Sequence, residues 1–242
     1  MMKRRTNPFT MRGHLRRCWL FTWRTPKADA CALLPAPLEP VTRGGFAFWN
    51  VVVCEMRAMR PAPLPAAIGL GYWHVAYRLH ARVRLESGEI VEGLYFVRSD
   101  CDRSLVTVAG NLLTDFRFHT ARVAVHADGA AIEGRINASG GDAHFRLGDA
   151  KPALTTGSPF TSVAEAAEFL KYKPCAIAPS TDGLINVVRV TRREADWRYR
   201  IVTVVESDWD FLSGREIAPE VCYSIEPIDY QWERAEVRRV AP

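Results

Sequence analysis

An antiparallel β-barrel or β-sandwich with a few peripheral helices is the architecture the sequence predicts, and three observations carry it. Runs of aromatic and β-branched residues alternate with a period of two, as half-buried strands do. Short glycine-bearing turns join several of these runs as hairpins. Segments with helix caps are few and short. The chain has 242 residues, 48% of them hydrophobic and 24% charged. That composition supplies a real core and excludes disorder along the whole chain.

Taken in order, Thr25 caps a predicted helix opened by Pro26 and ended before Pro35. Phe46 to Met56 is apolar on both alternating faces, the pattern of a strand covered on both sides. Arg60 to Pro65 holds prolines that remove backbone donors, so it reads as an exposed connector. From Tyr77 to Leu85 the odd positions are apolar, while Arg78, His80, Arg82 and Arg84 share the other face. Ser87-Gly88 turns this strand into Ile90 to Val97. A short helix is expected between Ser104 and Leu113, and a strand from Phe116 to His126, ending at Asp128-Gly129. Ile132 to Ala138 and Ala143 to Leu147 flank the turn Ser139-Gly140-Gly141-Asp142. Ser162-Val163-Ala164-Glu165 is a capping box that opens a third helix. Leu184 to Thr191, Trp197 to Val205 and Val221 to Ile228 complete the strands.

The net charge of +5 gathers at the N-terminus, in Lys3, Arg4, Arg5, Arg12, Arg16 and Arg17. Residues 1–12 are therefore expected to form a solvated basic extension, and 13–238 a single β-barrel domain. Apolar runs are broken by Arg24, Glu55 or prolines before the roughly 20 residues a membrane span needs, and Cys18-Trp19-Leu20-Phe21 is too short for a secretory core. A cytoplasmic location without membrane contact is the expectation. The six cysteines stand singly, with no C-x-x-C pair, so neither a zinc site nor a disulfide framework is expected. G-x-S-x-G, P-loop, dinucleotide and H-E-x-x-H patterns are missing. No cofactor and no metal are expected, although His74 and His80 share a strand face.

The segment Arg16-Arg17-Cys18-Trp19-Leu20-Phe21-Thr22-Trp23 leads into a helix ending Leu33-Leu34-Pro35. It is followed by Gly45 to Val53, Met56-Arg57-Ala58-Met59-Arg60-Pro61, Gly93-Leu94-Tyr95-Phe96 with Asp100, and Phe118-His119-Thr120-Ala121-Arg122. In this order and spacing they resemble the YqjF-like family, domain of unknown function 2071, from about Met11 to about Glu236. The resemblance implies an acetoacetate decarboxylase-like antiparallel β-barrel around a small-molecule lumen. It does not imply the decarboxylase reaction, because fold and chemistry separate easily. Where relatives carry Glu and Asn, this chain has His74 and Ala76, while Arg78 is kept.

Acetoacetate decarboxylation needs a desolvated lysine as Schiff-base nucleophile. Lysines are scarce here, and none falls in an expected strand: Lys3, Lys27, Lys151, Lys171 and Lys173. The strand that would hold the catalytic pair has Phe118 and His119 instead. His119, on the same face as Ala121, Val123 and Val125, is the candidate general acid or base. Its bland reading is a hydrogen-bonded core histidine. Arg117 is placed on that face too, with Glu55 and Asp100 as candidate partners, and a structural ion pair explains them without a ligand. Tyr95 reads as lumen lining. The functional expectation is a barrel binding a small organic anion through Arg117 or Arg57, with Arg78, Glu55, Asp100 and Tyr95 as further binding candidates. A barrel with a packed interior acting as a scaffold, self-associated or not, is the alternative. Nucleic acid would need the basic stripe of Arg78, His80, Arg82 and Arg84, which Glu86, Glu89 and Glu92 offset, so such a partner is not expected.

Overall fold

A computed structural model describes residues 7–128, 131–171, 173–180 and 183–241. Lys3, Arg4 and Arg5 of the basic segment, and Gly129 of the expected turn, lie outside the described residues. The chain opens with strand β1 (Met11–Pro26), whose sixteen residues were not anticipated as a strand. Helix α1 (Lys27–Leu33) follows. Thr25 does not cap it, because its hydroxyl donates to the Glu216 carbonyl at 3.0 Å. Then come β2 (Glu39–Pro40), β3 (Phe46–Pro61), β4 (Leu70–Arg84) and β5 (Ile90–Cys101), joined in sequence to α2 (Ser104–Leu113) and β6 (Phe118–Asp128). The hairpin β7 (Ala131–Ala138) and β8 (Ala143–Gly148) precedes α3 (Val163–Leu170). Ser162 caps α3 by accepting from the Glu165 amide at 3.1 Å, but the Glu165 carboxylate accepts from Thr161 and not from Ser162. The chain ends with β9 (Cys175–Pro179), β10 (Leu184–Arg192), β11 (Tyr199–Trp209), β12 (Ala218–Ile225), β13 (Ile228–Trp232) and β14 (Glu236–Arg239).

The strands form one large sheet that closes on itself twice. A wide circuit runs β1-β3-β4-β5-β6-β7-β8-β11-β12 and returns to β1. A narrower one runs β1-β3-β4-β5-β9-β10-β13 and returns to β1. The pairings are antiparallel except where β5 meets β6 and β9, which are parallel. A parallel pair needs a crossover, and α2 supplies it between β5 and β6. The closed strand rings, mostly antiparallel with helices at the periphery, are the predicted barrel in outline.

The four shared strands are covered on both faces, and side-chain alternation divides them. Trp19, Phe21, Trp49, Val51 and Tyr77 join the wide circuit's core. There Phe145 stacks on Trp209 at 6.1 Å and meets Phe21 edge-on at 5.0 Å, so aromatic rings fill the interior. Leu20, Phe48, Val52, Met56 and Phe96 join the narrow circuit's core, with Ala166, Ala167 and Leu170 of α3 against it. This second cover corrects the reading of β4. Arg78 and His80 are buried, and only Arg82 and Arg84 keep the expected wet face. No helix of the described residues is long and apolar enough to cross a membrane.

Candidate ligand-binding site

Register places one polar row across the shared strands. Cys18 lies opposite Cys54, Cys54 opposite His74, and His74 opposite Cys101. Four residues further along β4 stands Arg78, opposite Asn50. Of these, Cys18, Cys54, His74 and Arg78 border an apolar chamber of about 60 Å3 inside the narrow circuit. Phe96, Trp197, Tyr230 and Trp232 form much of its wall, and no lysine or carboxylate among the described residues lines it.

Arg78 is 3% exposed. Its guanidinium donates to the Asn50 side-chain oxygen and, through Nε, to the Asn50 carbonyl at 3.4 Å, and it lies over the Phe96 ring. His74 stacks on Phe118 at 5.2 Å, and its buried Nε2 has no hydrogen-bond partner. Burial, reinforced by the Arg78 charge, lowers the His74 pKa from 6.5 to about 3. The imidazole is therefore neutral, able to donate or accept but not to pair as a cation. Burial also pushes the Cys54 thiol up to about 12, and raises Cys18, so neither supplies a thiolate nucleophile. The chamber thus offers two guanidinium groups, buried Arg78 and Arg192, the latter paired with Glu194, together with a neutral imidazole and apolar walls. That combination suits a small anion with an apolar body.

The residues singled out from sequence fall in three places. Of the candidate catalytic and anion-binding residues only Arg78 borders the chamber, beside His74. Glu55 is buried beneath three arginines. Arg17 Nε stands 2.5 Å from Oε2, Arg57 Nε 2.8 Å from Oε1, and Arg16 Nη1 3.2 Å from Oε1. Burial raises the Glu55 carboxyl, and the hydrogen bonds from Arg17 and Arg57 more than offset it, leaving it below the ordinary range. The third group surrounds β5 and β6. Asp100 is held by Arg98, at 2.8 Å from Nε and 2.7 Å from Nη2, and burial still raises its pKa. His119 lies opposite Asp100 in the parallel register, and it is exposed, not interior. Arg117 precedes β6 with φ of 55°, so it does not share a strand face with His119, and its guanidinium sits over buried Tyr95 at 5.3 Å. Neither Glu55 nor Asp100 pairs with it. Among the described residues no three His, Cys, Asp or Glu side chains are grouped to hold a metal ion.

Asn50, Tyr230 and Trp232 were not singled out. Asn50 had a usable signal, being the one amide inside the apolar run Phe46 to Val53. Tyr230 and Trp232 come from a distant short strand and gave none.

Residues 12–228 match the DUF2071 family, described as an uncharacterized conserved protein. The chain belongs to that family. None of the curated proteins matches this DUF2071 chain. Solved structures place its fold. The acetoacetate decarboxylase of Legionella pneumophila is similar at a TM-score of 0.64 and 15% identity, over 97% of this chain and 89% of that one. An acetoacetate decarboxylase-like enzyme from Sphingomonas wittichii gives 0.58 and 16%, over 97% and 94%. The enduracididine biosynthesis enzyme MppR, in complex with pyruvate, gives 0.57 and 11%, over 98% and 91%. At these identities the likeness concerns the fold, which is acetoacetate decarboxylase-like.

Proposed function

We propose that this DUF2071 chain binds a small organic anion in the narrow-circuit chamber, and that it forms no Schiff base with it. Arg78 takes the anionic group, in place of the Arg117 or Arg57 expected from sequence. The observation that carries this reading is the buried Arg78 guanidinium facing a chamber bordered by no carboxylate of the described residues. Excluding water strengthens such an attraction. His74 supplies a neutral hydrogen bond through its unpartnered Nε2. The chamber's size favours a ligand of a few heavy atoms, such as propionate or pyruvate. The pyruvate held by MppR supports that class.

The lysines support the second half of the proposal. Lys27, Lys151 and Lys171 are exposed, and Lys173 pairs with Glu92 at 3.6 Å. A reading as a packed scaffold draws on the aromatic filling of the wide circuit, but the narrow circuit keeps a chamber. Burial of Arg78 and His80 breaks the basic stripe that nucleic-acid binding required.

Titration with propionate, followed by tryptophan fluorescence, is expected to saturate. Arg78→Gln is expected to weaken it at least about tenfold, with far-UV circular dichroism showing that the variant is folded. In parallel, borohydride with acetoacetate should leave the protein mass unchanged. A folded R78Q that binds as tightly as the native chain, or a reduced covalent adduct, refutes the respective half of the proposal.

A further inference from the structure

Beside the chamber lies an open cleft of about 600 Å3 whose wall includes Arg12, Arg60, Arg192 and Arg193. Arg192 and Tyr230 belong to the walls of both, so the two spaces adjoin. The charge in the cleft is only partly answered. Asp229 is the one carboxylate among its described lining residues, and it is engaged by His14 at 2.8 Å. Arg192 and Arg193 reach Glu194 and Asp196 at 3.3 and 3.4 Å. Arg12 and Arg60 direct hydrogen bonds to neutral acceptors. Arg12 Nε donates to the Gln231 side chain at 2.9 Å, with Glu233 within electrostatic reach. Arg60 donates to the carbonyls of Leu64 and Ala58, each at 2.8 Å.

Two further observations single out this pair. Arg12 and Arg60 lie directly opposite each other across β1 and β3, and like charges in that relation destabilise a sheet. Two residues before Arg60 in the same wall, where the β1–β3 register shifts, Ala58 holds a φ of 50°, a strained conformation for a residue with a Cβ. Repulsion and strain at one spot are tolerated where a ligand relieves the former and the surrounding sheet enforces the latter.

We infer that the cleft binds a phosphate or phosphonate group, and that the ligand is bipartite, with its small acid head in the chamber. Guanidinium forks match tetrahedral oxyanions in bidentate fashion, and a dianion between opposed arginines turns their repulsion into attraction. The head's position rests on the proposed function, while the cleft stands on its own residues. The ligand class is a short carboxylic acid with a phosphate-type terminus.

The test compares propionate with 3-phosphonopropionate on the full chain at low salt, read by tryptophan fluorescence, with inorganic phosphate as competitor. The phosphonate is expected to bind about tenfold tighter or better. In the exposed double variant Arg12→Gln, Arg60→Gln the ratio of the two affinities falls to about one. Raising salt shrinks the native ratio, because exposed charges are screened. Inorganic phosphate binding that the double variant abolishes, with no propionate binding, would remove the chamber head and keep the cleft as the phosphate site. Equal affinities in the native chain, a ratio that survives the double variant, or an oligothymidylate that displaces the phosphonate at lower concentration than phosphate does, each overturns the inference.

Discussion

At the scale of single residues, the buried face of β4 stores a pH dependence. His80 is fully buried, and neither ring nitrogen has a hydrogen-bond partner. Burial, then the charges of Lys173 and Arg78, lower its pKa from 6.5 to about 3. The sign follows from the protons bound in each state. Between those two values the unfolded chain carries a proton on His80 that the folded chain lacks, so stability falls as pH drops from 6.5 toward 3. His74 adds to the same limb. His80→Leu removes one such proton and an orphaned polar group. The variant is expected to gain on the native protein as pH falls through 6.5, approaching about 1.4 kcal/mol per pH unit below about pH 6. Urea unfolding at pH 7, 6 and 5 measures this, and a gain that does not change with pH rules out a buried neutral imidazole. On the sequence alone His80 sat on a wet face with arginines, because nothing local announces the second cover over that strand.

Among elements, the β7–β8 hairpin shows how closely strands must fit. A Cβ at Gly134 of β7 would stand 2.2 Å from the Phe145 ring of β8, its register partner. That ring is fully buried, wedged against Phe21 and Trp209, and has nowhere to move. Gly134→Ala is expected to cost roughly 1–3 kcal/mol through overpacking. A lower urea midpoint with an unchanged slope would report it. An unchanged midpoint means the ring can shift. Hairpins were the most legible elements because their signals are local. Gly88 at φ of 86° and Gly141 at 124° sit where the β4–β5 and β7–β8 turns were read. The longest strands were harder. β1 is buried on both faces from Cys18 to Thr25 and begins at no turn signal, so its residues read only as an apolar, basic lead. The segment Val221 to Ile228, read as one strand, divides into β12 and β13, which pair with different stretches of β1.

For the whole molecule, the two circuits share β1, β3, β4 and β5, so neither closes without strands that the other needs. Unfolding is therefore expected to be a single transition. Trp19, Trp23 and Trp49 belong to the wide circuit's core, while Trp197 and Trp232 pack against the other. Tryptophan fluorescence, far-UV circular dichroism and a Trp197→Phe, Trp232→Phe variant should all give one coincident urea midpoint. Separate midpoints mean that the circuits unfold independently.

The order of residues determined what depends on near neighbours: the strand periodicities, the glycine turns, the third helix's cap and the scarcity of lysine. Family membership was legible in the same way, as motifs in a fixed order. Tertiary structure alone decided which face of β4 is covered, that β5 takes β6 and β9 on the edge its hairpin leaves open, and that Arg78 faces a chamber while Arg117 lies exposed. Those outcomes depend on contacts between strands far apart in the chain. A period-two pattern shows that a strand has two faces, but the partner that buries each one is set by how the sheet closes.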